Sequence, residues 1–98
     1  MNQNEILETL SYFQKSKGDE YHIRRIGIFG SAARNQLSDT SDVDVVVELG
    51  EPDLLILVGI KQDLEELLKR SVDIVRYRES LNEFRKQRIE QEAIFISQ

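Results

Sequence analysis

Residues 30–49 read GSAARNQLSDTSDVDVVVEL, and this stretch decides the fold. From Asp42 to Glu48 polar and apolar residues alternate: Val43, Val45 and Val47 share one face of an extended chain, and Asp42, Asp44 and Val46 share the other. A β-strand that carries two carboxylates on one face is therefore expected. Upstream, Leu37–Ser41 (LSDTS) has turn chemistry, and Ala32–Gln36 suits a short helix. Gly30-Ser31 stands where a preceding apolar segment stops.

That preceding segment, Ile23–Phe29, alternates Ile26 and Ile28 among β-formers and predicts another strand. Ile6, Leu7, Leu10 and Phe13 form a helical stripe, with Gly18 as its stop. Beyond the quoted stretch, Gly50, Pro52 and Asp53 break the chain and start a helix, with proline tolerated near its first turn. Leu54, Leu57, Val58, Leu64, Leu67 and Leu68 give this helix a wide apolar face as far as about Arg70. Val72–Tyr77 predicts a third strand. Ser80 and Glu83 have the spacing of a capping box for a last helix that ends about Glu92. Ile94–Ile96 fits either an extension of that helix or an apolar tail. The order is α-β-α-β-α-β-α. The long middle helix suits a parallel crossover, and the shorter link between the first two strands suits an antiparallel pair. The expected fold is α/β (α+β): one domain over residues 1–98, with a mixed three- to four-stranded sheet flanked by helices.

Composition narrows the chemistry. The chain has 98 residues, 40% hydrophobic and 32% charged, with no cysteine and His22 as its one histidine. Disulfides and Cys- or His-rich zinc sites are excluded, so any metal needs oxygen ligands, which suits Mg²⁺ or Mn²⁺. A net charge of −5 argues against direct nucleic-acid binding. Arg76, Arg78, Arg85, Lys86 and Arg88 nevertheless make the last quarter locally basic. No stretch reads as a signal peptide or a membrane span, and a cytoplasmic location is the expectation.

If the first strand runs antiparallel to the second and the third parallel to it, Gly30-Ser31, Asp42, Asp44 and Asp73 meet at one end of the sheet. Three neighbouring carboxylates resist ionising together unless a cation joins them. Two ions roughly 3.5–4 Å apart can clamp the attacking and leaving oxygens of a phosphoryl transfer. Gly30, lacking a Cβ, lets a phosphate approach the backbone. The amides that open the next helix suit phosphate oxygens, and the Ser31 hydroxyl adds a donor. Arg34, about one helical turn on, is divided between a phosphate contact and an ion pair that orients an aspartate. Arg85, Lys86 and Arg88 are divided between a solvated helix face and a contact to a partner or a triphosphate. Asp39 reads as a turn residue and His22 as a surface one.

Gly30-Ser31, ten intervening residues and Asp42-Val43-Asp44 together resemble the signature of the polymerase-β-like nucleotidyltransferase superfamily. GSAAR with SDVDVVV, the later VDIV and RKQRIEQEAIFI are similar to its small branch, the minimal nucleotidyltransferases, over about residues 23–96. The resemblance implies a polymerase-β-palm-like fold, with Asp42, Asp44 and Asp73 as catalytic metal ligands and Gly30 and Ser31 on the nucleotide phosphates. It implies Mg²⁺, two ions, with Mn²⁺ as a substitute, and ATP as substrate. It further implies an antitoxin that transfers AMP to a tyrosine of a HEPN-type toxin partner. Larger members carry a second domain for the acceptor. This chain has no residues left for one, so another molecule, or a second copy in a homo-oligomer, is expected to present it. The alternative is a non-catalytic antitoxin that masks its partner by contact. A small-molecule modifier is a weaker third reading.

Overall fold

The computed structural model describes residues 2–51 and 53–96. Its elements are α1 (Gln3–Lys17), β1 (Ile23–Phe29), α2 (Gly30–Ala33), β2 (Val43–Leu49), α3 (Leu54–Leu68), β3 (Val72–Tyr77), α4 (Glu83–Glu92) and β4 (Ile94–Phe95). The strands form one mixed sheet in the order β3-β2-β1-β4. β1 is antiparallel to β2 and β4, and β2 is parallel to β3, with α3 as the crossover.

Strand alternation sorts the side chains into two cores. On one face Val43, Val45 and Val47 of β2 and Ile26 and Ile28 of β1 meet Ile6, Leu10 and Phe13 of α1 and Ile60, Leu64 and Leu68 of α3. Each such fully buried aliphatic side chain contributes roughly 1.5–3 kcal/mol, so this face holds the fold together. On the other face Val46, Tyr77 and Ile89 form a smaller cluster, with Phe29, Val75 and Phe95 packed against it. This second cluster seats α4 over part of the sheet. The Arg25 guanidinium clamps it: it lies 4.9 Å from the Tyr77 ring centroid and 4.2 Å from that of Phe95, and it donates to Glu48 and Glu90. Asp44 and Asp73 share this second face with Val46 and Val75.

Several local expectations are corrected. The second helix is a single turn that begins at Gly30 rather than Ala32, and Asn35 in the left-handed region (φ 57°) turns the chain out of it. α3 stops at Leu68, because Lys69 adopts a left-handed cap (φ 56°) and donates to the Glu65 carbonyl. Its buried stripe is Ile60, Leu64 and Leu68, so Leu54, Val58 and Leu67 lie off the packed face and are exposed. Ser80 caps nothing. The Leu81 N–H closes a turn on the Arg78 carbonyl, and Asn82 caps α4 by accepting from the Phe84 and Arg85 amides. Residues 94–96 do not extend α4; they pack against the sheet, and Ile94 and Phe95 do so as a fourth strand paired with Ile28 and Gly27. Asp53 caps α3 as expected, whereas the reading of Pro52 falls outside the described residues. Among the described residues no helix is long and apolar enough to cross a membrane.

Candidate functional site

The parallel ladder between β2 and β3 pairs Asp44 directly with Asp73, and the antiparallel ladder pairs Asp44 with Phe29, the last residue of β1. One register thus brings three chain segments to the same end of the sheet. Asp42 precedes β2 by one residue and shares the face of Asp44 by alternation. Asp42 and Asp73 are exposed and Asp44 is half-buried.

Gly30 turns the chain where β1 ends, at φ +63°, a left-handed conformation that side chains rarely adopt. It also lies against Asp44: a Cβ at position 30 would stand 2.4 Å from the Asp44 Oδ2. The Gly30-Ser31 corner and the acidic face are therefore in contact. Behind the corner, the Arg34 amide donates to the Gly30 carbonyl at 3.1 Å and the Gln36 amide to the Ser31 carbonyl at 2.8 Å, which fixes the turn.

The electrostatics follow from this crowding. Burial raises the Asp44 carboxyl above the usual carboxylate range, the charges of Asp73 and Asp42 raise it further, and Arg34 opposes them. Arg34 is exposed; its Nε donates to the Gln36 Oε1 at 3.3 Å, and its head lies 3.9 Å from Glu92. Arg34 is thus paired with Glu92 rather than with an aspartate, and it stands near enough to Asp44 to act on its charge.

Asp42, Asp44 and Asp73 offer carboxylate oxygens here, the chemistry that suits Mg²⁺ or Mn²⁺, and the raised Asp44 carboxyl is the penalty that a cation would relieve. Like charges push apart, and among the described residues no three Asp, Glu or His side chains already converge on one point as a closed cage.

Three supports of the site were not legible in the sequence. Arg70, just past α3, donates through its guanidinium to the carbonyls of Ser38 and Ser41, the latter at 2.7 Å, and so braces the loop that delivers Asp42. The Val43 amide donates to the Ser71 carbonyl at 3.0 Å, tying the same loop to the start of β3. Gln3 reaches across from α1 and donates to the Ala32 and Ala33 carbonyls at 3.1 and 3.0 Å, which holds the turn of α2. None of these contacts leaves a periodic or spacing signal. His22 and Asp39 lie exposed on the surface.

Comparison with known proteins identifies the family. The family description "Polymerase beta, Nucleotidyltransferase" matches residues 8–98. A Methanocaldococcus jannaschii relative, MJ0126, provisionally named a protein adenylyltransferase, is 36% identical over 94 residues, covering 95% of this chain and 96% of the relative. The protein adenylyltransferase MntA of Thermococcus cleftensis is 38% identical over 72 residues, covering 72% of this chain and 73% of that one. In fold, the chain resembles a solved toxin–antitoxin structure with AMP-PNP at a TM-score of 0.75 and 20% identity, over 94% of this chain and 74% of the other. A family match across almost the whole chain, together with a relative of the same length, makes this protein a nucleotidyltransferase of the polymerase beta family.

Proposed function

We propose that this chain is an antitoxin that transfers AMP from ATP to a tyrosine hydroxyl of a HEPN-type toxin. The contact between the Gly30 corner and the Asp44 carboxylate supports this reading most directly, because it sets a backbone corner open to a phosphate beside an acidic side chain. The names of the relatives support the protein acceptor.

In this reading the triphosphate lies at Gly30-Ser31, where the absence of a Cβ gives it room and the amides after the corner donate to it. Asp42, Asp44 and Asp73 would hold Mg²⁺, which would supply charge neutralisation to the phosphates. The acceptor oxygen attacks the α-phosphorus in line, a new O–P bond forms, and the bond from that phosphorus to the bridging oxygen breaks. Pyrophosphate leaves with that oxygen, and the hydroxyl proton passes to the Asp73 carboxylate or to water. Orientation and electrostatic stabilisation carry such a transfer.

The test incubates the chain with ATP labelled at the α-phosphate, Mg²⁺ and the HEPN-type protein encoded beside it. Label is expected on a tyrosine of the partner, with pyrophosphate released. Asp42→Ala combined with Asp44→Ala is expected to reduce transfer by at least about a hundredfold. Undiminished transfer by that variant would end the mechanism, and neutralisation of the partner without transfer would favour plain masking.

A further inference from the structure

We infer that the free edge of β3 docks an extended, acidic segment of the acceptor protein. This deepens the proposed transfer to a protein hydroxyl and rests on it.

β3 is the last strand of the sheet, with β2 as its one neighbour. The outward N–H and C=O of Val72 are taken by Glu65 and by Lys61. By alternation Ile74 and Arg76 point their backbone groups the same way, and among the described residues nothing pairs with them there. A groove of about 490 Å³ wraps this edge, with Leu54, Leu57 and Ile74 on its apolar side and Arg76, Arg78 and Arg85 around it.

These three arginines differ from most of the arginines of this molecule. Arg25, Arg34, Lys86 and Arg88 each lie against a carboxylate. The guanidinium groups of Arg76, Arg78 and Arg85 make no hydrogen bond or ion pair among the described residues, and the Arg76 Nε is buried without a partner. Asp53 also lines the groove, but its carboxylate caps α3 by accepting from the Leu55 amide and makes no ion pair with them among the described residues, so three cations around one groove stay unpaired. Their complement is negative charge on another molecule.

The groove also selects the form of that molecule. Unpaired strand edges accept an added strand, whose alternate side chains point to opposite faces. Acidic side chains would meet the arginines, and apolar ones would cover Ile74, Leu57 and Leu54, the last of these 75% exposed. A phosphodiester backbone has nothing to place on that apolar half, whereas a peptide strand can alternate acidic with apolar side chains, so a peptide is favoured over RNA. Arg76 lies about 10 Å along the strand from Asp73. A segment paired at this edge therefore ends beside the acidic face, where its acceptor hydroxyl is needed.

The experiment measures binding of three fluorescent probes to the full chain without nucleotide: a peptide alternating Glu with Val, the same peptide with Gln for Glu, and oligouridylate. The Glu peptide is expected to bind at least about tenfold more tightly than the Gln peptide, and oligouridylate more weakly than either. Arg78→Glu with Arg85→Glu should abolish that preference. Lys15→Glu with Lys69→Glu makes the same change in net charge away from the groove and should keep it. Thermal unfolding checks that both variants fold. Equal binding of the two peptides, preference for the oligonucleotide, or equal loss in both double variants overturns the inference. No nucleotide is present, so such a failure belongs to the docking edge alone, whereas failure of the transferase reading appears in label transfer.

Discussion

At Gly30 one missing methyl group joins conformation to chemistry. Alanine there must hold φ near +63°, which costs about 1–2 kcal/mol, and its Cβ would stand 2.4 Å from the Asp44 Oδ2. The carboxylate is the mobile end of a side chain, so it swings aside and the fold survives. Gly30→Ala is therefore expected to lower Tm by about 4–8 °C per kcal/mol lost, visible by calorimetry. Transfer should fall further, by about a hundredfold, because Asp44 no longer stands where it is needed. A variant that keeps full transfer would show that the room at this corner is not required. The acids and the corner were readable from sequence because strand alternation and a fixed spacing determine them. Arg70 and Gln3 were not, because each acts on backbone carbonyls distant in sequence, and any long donor could occupy those positions.

Among the elements, β4 is the one that sequence reading left undecided, yet its trace lay in β1. Gly27 stands between Ile26 and Ile28 in the middle of a strand, and such a glycine marks close approach of another backbone. A Cβ at Gly27 would meet the Ile94 carbonyl oxygen at 2.3 Å and the Phe95 Cα at 2.7 Å, both backbone atoms that cannot swing aside. The helices of the main core were legible because their buried residues recur at helical spacing. The two-residue β4 is too short to show any period, and the start of α4 depended on Asn82 rather than on the Ser80 and Glu83 pair. Gly27→Ala is expected to push β4 from the sheet edge and destabilise the protein by about 1–3 kcal/mol. Hydrogen exchange should then accelerate at the Ile96 amide, which bonds the Ile26 carbonyl at 3.0 Å, while the amides shared by β1 and β2 remain protected. Unchanged protection at Ile96 would contradict this account of Gly27.

Across the whole molecule, charge is divided: carboxylates gather at the Gly30 end of the sheet, and unpaired arginines line the outer edge of β3. This division sets how stability responds to conditions. Burial, then Asp73 and Asp42, hold the Asp44 carboxyl above the usual range. A raised value means that the folded chain keeps a proton which the unfolded chain has released. Stability therefore falls as pH rises through the interval between the ordinary carboxylate value and the raised one, and the full penalty is present above it. In chelator at neutral pH, Asp44→Asn removes one of the like charges facing each other across β2 and β3, and it is expected to stabilise the protein by roughly 0.2–1 kcal/mol. Mg²⁺ at ten times its Kd should stabilise the unaltered chain by about 1.4 kcal/mol, several degrees in Tm for a domain of this size. Asp44→Asn should respond much less, so that the order of the two melting temperatures reverses when the cation is added. Calorimetry with and without Mg²⁺ measures this directly. If both proteins gain equally from the cation, the acidic face is not where it binds.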